Sequence, residues 1–401
     1  MRINPIPKLM LGTFQTDGAA ARLRLVRVSC LGVMISEPVL VAEVAPPSAT
    51  SSPIIPPALA NARRFQWIAD GTAHVLDCAS LTDGGSLGPY VTFPIAGWTK
   101  RASGDIAPDG TSVVYATQTE VACVLADGTV RWQIPLDPPA HSSIGRADCA
   151  FSLDGKQLWL YLPDAMLGRG EDCWRVLDPA DGTLIAETTL PTVGQGAVHA
   201  MHPDGQQVIL DVGEGQDGLY LFRGSLDGGR LVVEPYSWHD QGCAAMAPDG
   251  LSFMTLSHEE DEITFWTFPE GQRQLSLTLD AFGPPIAGVN GADNTELDDA
   301  DENDEQDDEF AADVEVEDLA RFGFDGGYLD AARAMILVDD TGDMEEHRHF
   351  LVDVATGRPL TQLRVAATET PMLLGDGSWL SIGDEGKVTR WRMPHPPHLP
   401  E

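Results

Sequence analysis

The chain has 401 residues, of which 61 are acidic and 25 basic, giving a formal net charge of −36 at pH 7. That balance argues against nucleic-acid binding, because a phosphate backbone needs a basic groove or face. Forty glycines and 29 prolines beside 43% hydrophobic residues suit many short strands joined by tight turns rather than long helices.

No stretch approaches the roughly 20 apolar residues that cross a bilayer. Residues 1–15 carry two basic side chains, Arg2 and Lys8, but no signal-peptide apolar core. A cytoplasmic location is the expectation. Cys30, Cys78, Cys123, Cys149, Cys173 and Cys243 are scattered without a C-x-x-C pair. In a reducing compartment they read as small buried hydrophobes.

In chain order, strand-like alternation first appears at Leu23–Val28 and Val39–Val44. A Pro/Ser-rich stretch, Ala45–Pro57, reads as a linker. A repeat begins near Asn61, where Phe65–Ala69 matches the apolar run of later copies. Those later copies carry an Asp-Gly pair at Asp109-Gly110, Asp154-Gly155, Asp204-Gly205, Asp249-Gly250, Asp325-Gly326 and Asp376-Gly377. The spacings are 45, 50, 45, 76 and 51 residues, the long one containing an acidic insertion. That makes seven units.

Each unit keeps one internal order. A stretch of small residues precedes the Asp-Gly, as in Gly196–Ala200 or Gly242–Ala245. Predicted strands follow at Ser112–Ala116, Leu158–Leu162, Gln207–Val212 and Ser252–Ser257. A second run then ends at a Gly turn (Arg175–Asp178, Phe265-Trp266, Leu351–Asp353). A last run closes the unit at Val130–Leu136, Leu184–Leu190, Gln274–Leu279 and Leu360–Val365.

Four strands in about 40–50 residues is one propeller blade. Small residues suit strands crowded at an axis, and Asp-Gly suits the positive φ angles of a type I′ hairpin turn. The seventh unit has strands at Trp379–Ile382 and Lys387–Met393, then ends in a Pro/His-rich tail unfit for a strand interior. Its outermost strand is missing. We expect Val39–Val44 or Leu23–Val28 to supply it, closing the ring.

The expected fold is therefore all-β: a seven-bladed β-propeller of four-stranded antiparallel blades, closed by an N-terminal strand. Residues 1–60 hold the closing strand and linker, and 61–401 the propeller. The cadence of Pro-Asp-Gly, apolar strand, strand ending in Trp or Asp, and Thr-Gly resembles bacterial Trp-Asp (WD) repeat and YVTN-type propellers. The resemblance spans about Asn61 to Met393 and is one of fold. No unit has a Gly-His before its inner strand, a departure from the Trp-Asp pattern.

Asp293–Asp318 holds 15 acidic residues in 26, with no Lys or Arg between Arg273 and Arg321. One reading is a self-repelling solvated loop, and the other an arm for a basic partner or a cation. Asp299-x-Asp301-x-Asn303 matches the start of a calcium loop. However, Asp304 stands where that loop needs Gly, and Phe310 where it needs Glu.

His347 and His349 lie two apart in a predicted strand, so both point to one face. Beside Glu345 and Glu346 they read as surface histidines before they read as a metal pair. His199 and His202 flank the third Asp-Gly turn, and His395 and His398 sit in the tail. Gly213-x-Gly215-x-x-Gly218 mimics a dinucleotide fingerprint, but no helix follows it, so it reads as a hairpin loop. Cys243 and His239 read as core. Trp67, Trp132, Trp159, Trp174, Trp266, Trp379 and Trp391 read as blade packing.

No catalytic, cofactor-binding or metal residue is assignable, and no cofactor is implied. The preferred function is a monomeric, non-catalytic scaffold that binds a protein partner, a basic one if charge guides it, through propeller loops. The alternative is a propeller enzyme, a hydrolase or quinone-dependent dehydrogenase, with its site at the central channel. Asp105, Asp148, His199 and Asp240 precede successive turns and could converge there.

Overall fold

The computed structural model describes residues 34–36, 38–44, 64–69, 71–77, 91–95, 102–140, 144–283, 320–324, 326–340, 347–364, 371–382 and 388–393. The expected linker, the strand at Leu23–Val28, the acidic run 293–318 and the tail histidines lie outside them. Among the described residues the strands form seven sheets, and the remaining regular structure is two short 3-10 turns, Gly215–Asp217 and Leu279–Phe282. Second to fifth sheets are plain four-stranded antiparallel meanders. The third, for example, runs Asp148–Phe151, Leu158–Leu162, Asp172–Leu177, Leu184–Leu190. Predicted strand positions and observed ones agree to within a residue or two.

The turn type differs from expectation. Gly110 N–H donates to Ala107 O at 2.7 Å, and Ala107 N–H to Ser112 O at 2.9 Å. Positive φ falls on Gly110 (71°) and not on Asp109. This is a type I turn with Pro108 at its second position and a left-handed Gly closing it, whereas type I′ needs two left-handed residues. Ser152–Gln157, His202–Gln207 and Ala247–Ser252 repeat it. The Asp works as a backbone cap instead: Asp109 Oδ1 accepts Thr111 N–H at 2.9 Å, and Asp204 Oδ1 accepts Gln206 N–H at 2.7 Å.

In the sixth sheet the Asp-Gly at 325–326 is not the turn. Gly326 leads straight into the inner strand Gly327–Asp330, and the chain reverses at Ala331-Ala332. Asp330 takes the capping role there, its Oδ1 accepting Ala332 N–H at 3.0 Å and Arg333 N–H at 2.9 Å. This inner strand is broken, because Arg321-Phe322 pairs with Val338–Asp339 while Gly327–Asp330 pairs with Arg333–Met335.

Packing runs from each sheet to the next. Phe93 and Ile95 of the first sheet bury against Val113 and Tyr115 of the second. Val114 and Cys123 then meet Phe151 and Leu160 of the third. Leu351 and Leu363 of the sixth meet Trp379 of the seventh. Each such fully buried side chain contributes about 1.5–3 kcal/mol. Gly182 shows how tight the seams are. It sits at φ 76°, and a Cβ there would lie 3.0 Å from the Trp132 ring of the preceding sheet. Trp132 Nε1–H is fixed over that turn by a 2.8 Å bond to Pro179 O.

The N-terminal strand Val39–Val44 pairs antiparallel with Val388–Arg392 and forms the outer edge of the seventh sheet. Just before it, Met34–Ser36 pairs parallel with Thr361–Leu363 at the outer edge of the sixth. One short stretch of chain thus laces two neighbouring sheets, a second pairing that strand alternation did not foretell.

Candidate functional site

Inner strands of adjacent sheets run the same way. Ser103 Oγ accepts Cys149 N–H at 3.2 Å and Asp105 Oδ2 accepts Phe151 N–H at 2.8 Å, so equivalent positions stand side by side. Loops entering the inner strands therefore share one face with loops joining second to third strands. The Asp-Gly turns open on the opposite face.

Carboxylates on the two faces do different work. On the Asp-Gly face they cap their own turns, as Asp154, Asp249 and Asp376 do toward Lys156, Leu251 and Ser378 N–H. On the loop face the fifth sheet's second loop reads His258-Glu259-Glu260-Asp261. Glu260 there and Asp240 in the entering loop both hold φ at 58°, the only non-glycine residues with positive φ among those described. A left-handed backbone is costly for such residues and persists only where surrounding contacts enforce it. The contacts are visible: Phe322 N–H donates to Glu260 O at 2.7 Å, and His258 N–H to Asp240 O at 2.9 Å.

The same corner joins Phe282 and Phe322, which precede and follow the acidic segment in sequence. Phe282 before it and Phe322 after it meet edge-to-face at 5.5 Å, and Phe282 also packs on Phe350 at 5.0 Å. Arg321 bridges Glu260 and Asp339, each at 3.3 Å. Arg348 Nη1–H donates to Phe282 O at 3.0 Å, while its Nη2–H donates to buried Asp340 at 2.6 Å. Two adjacent sheets thus hold a fixed doorway on the loop face, with 15 acidic residues in the sequence between its posts.

Of the four polar residues that could converge at the channel, the structure joins two. His199 Nδ1 and Asp148 Oδ2 are 2.6 Å apart, and Trp174 Nε1–H donates to His199 Nε2 at 3.0 Å. Both ring nitrogens are thereby engaged in a buried hydrogen-bonded chain between third and fourth sheets. That chain ties sheets together and leaves His199 no free nitrogen for a substrate. A buried His network thus exists without a preceding Gly-His, and Val198 stands in the glycine's place. Asp105 serves Ile106 and Phe151 N–H, and Asp240 lies at the rim of the fifth sheet, apart from the pair.

His202 stacks on Phe268 at 4.3 Å and reaches Gly250 O at 2.8 Å, a contact across the seam of the fourth and fifth sheets. The core reading holds for Cys243, which is buried with its thiol pushed up by desolvation first and Asp211 second, and fails for His239, which is exposed in the loop entering the fifth sheet and meets the Tyr220 ring at 5.2 Å. That thiol is no nucleophile. Gly213–Gly218 joins two antiparallel strands, as read from sequence. The described tryptophans pack between sheets, Trp159 on Trp174 at 5.4 Å among them. The surface reading of the His347–His349 pair fails, because His349 is 1% exposed.

Sequence reasoning missed Asp211. It is a carboxylate on the fourth sheet whose Oδ2 accepts Cys243 N–H at 2.6 Å and whose Oδ1 has no partner. Nothing in its strand pattern marks it, since the partner lies 32 residues on.

These sheets and their shared loop face define a protein of the β-propeller class, with a WD-repeat-like likeness at the level of fold. No family model matches the chain, and no curated protein matches it. Among solved structures it is similar to BamB from Moraxella catarrhalis, at 12% identity and a TM-score of 0.43, covering 82% of this chain and 81% of that one. It is also similar to the Cps50 (Swd1) β-propeller domain of Myceliophteria thermophila, at 11% identity and a TM-score of 0.49, covering 89% and 100%. No helix among the described residues is long and apolar enough to cross a membrane.

Proposed function

We propose that the chain is a non-catalytic scaffold whose loop face binds a basic protein partner. The observation that carries this reading is the doorway at the fifth and sixth sheets. There Phe282, Phe322, Arg321 and Arg348 bring together, on the face where loops are free to vary, the residues that precede and follow the acidic segment in sequence. Fifteen acidic residues and no Lys or Arg lie in the sequence between Phe282 and Arg321. Concentrated negative charge steers a basic partner and raises its association rate, an effect screened beyond about 8–10 Å at physiological salt. A monomer in the cytoplasm suits this role.

The test is affinity capture from native lysate at low and high salt, using the full chain and a chain lacking residues 293–318. A basic partner held by the full chain at low salt, and lost on deletion or at high salt, supports the reading. Recovery of one partner unchanged by either manipulation overturns it.

A further inference from the structure

The strand His347–Asp353 sends alternate side chains to its two neighbours. Arg348 and Phe350 face the fifth sheet, where they meet Phe282. Leu351 faces the other way and packs with Leu363 and Trp379 at the seam with the seventh sheet. His347 and His349 share the Leu351 side, since strand side chains repeat every second residue.

Three of the four ring nitrogens of the pair have nothing to bond. His349 is 1% exposed, and neither of its ring nitrogens has a hydrogen-bond partner. Nδ1 of half-buried His347 has none either. Buried polar atoms in native folds are almost always satisfied, and an orphan points to a water, an ion or a ligand. The ring centres stand 6.4 Å apart with planes at 88°, wider than the tetrahedral spacing of two imidazoles on one ion with bonds of about 2.0–2.1 Å, so joint ligation requires the half-buried His347 ring to turn toward His349.

We propose that His347 and His349 form a transition-metal site at the seam of the sixth and seventh sheets, taking zinc or a similar imidazole-preferring divalent ion. Burial and the neighbouring ring hold His349 neutral, which is the form that ligates. Among the described residues no third His, Cys, Asp or Glu joins the pair. Two protein ligands leave coordination positions open to water or an exchangeable ligand, unlike the closed four-ligand set of structural zinc. The seam is also where Met34–Ser36 and Val39–Val44 cross from one sheet edge to the other.

The experiment uses untagged, EDTA-treated full chain titrated with cobalt(II), followed by visible absorption and by thermal melting. One equivalent should bind with d–d bands of nitrogen ligation, raise the melting temperature, and be displaced by zinc. The variants H347Q and H349Q should each weaken binding by at least about tenfold, the loss of one of two protein ligands. Absence of cobalt uptake overturns the proposal. So does uptake that both variants retain, which would place the ion on the tail histidines or the acidic segment. If H349Q does not fold, H347Q, whose ring is only half-buried, decides the matter by the same readouts.

Discussion

The Phe282 and Phe322 rings meet edge-to-face at 5.5 Å although 39 residues lie between them in sequence. The described residues that precede and follow the acidic segment in sequence are therefore held together by contacts that do not involve the segment itself.

Deleting residues 293–318 should leave the fold and its cooperative melting intact. Shortening a loop whose ends are already joined changes closure entropy by only about 0.6 kcal/mol for each halving. Circular dichroism and a urea melt check this. Loss of a cooperative transition would show that the segment is part of the core.

Arg348 and Asp340 form a buried ion pair that also fixes the Phe282 carbonyl. Arg348→Met should destabilise by about 3–5 kcal/mol, because it strands a buried carboxylate. The double variant R348M/D340N should recover part of that loss, giving a coupling of about 1 kcal/mol or more in a double-mutant cycle. Strictly additive losses would mean the pair does not act as a unit.

Removing residues 1–44 should bare the outer strands of both the sixth and seventh sheets, since Met34–Ser36 and Val39–Val44 cover them. We expect a lower melting temperature and concentration-dependent aggregation through the exposed edges. A synthetic peptide of residues 34–44 added in trans should restore part of the lost stability. Unchanged melting of the truncated chain would contradict the observed pairing.

Two buried groups pull stability against pH in opposite directions. Burial raises the Asp211 carboxyl to about 7, so its folded form keeps a proton the unfolded chain has lost. Its contribution is full near pH 4 and is lost as pH rises toward 7. Burial and His347 lower His349 to about 4, below the 6.5 of a free imidazole. Its contribution is present above pH 6.5 and is lost as pH falls toward 4.

Urea unfolding at several pH values between 4 and 7.5 separates them. D211N should steepen the acid loss of stability and H349Q should flatten it, each by on the order of 1–2 kcal/mol across the window. A Asp211 that kept the ordinary carboxylate value would give D211N the wild-type slope.

Much of this protein was legible from its sequence because strand period and turn chemistry are local. Ser112–Ala116, Leu158–Leu162 and Ser252–Ser257 are strands because short apolar runs flanked by Asp-Gly have few alternatives. Even the missing outer strand could be inferred, since a terminal sheet one strand short leaves an open edge. The limits appear where a motif has two local solutions. Asp-Gly at 325–326 resembles the other turns, yet Asp330 caps the reversal without any glycine. Position in the register decided that, not composition.

The rest belonged to tertiary structure. His199 meets Asp148 across 51 residues, Asp211 meets Cys243 across 32, and the burial of His349 depends on a seventh sheet that its own strand cannot announce. Contacts between sheets are made face to face, and strand periodicity tells which face a side chain takes but not what waits opposite. The sequence by itself determined the strands, most turn positions and the acidic run. Only the packing of one sheet on the next decided which polar groups are satisfied, and which are left buried without a partner.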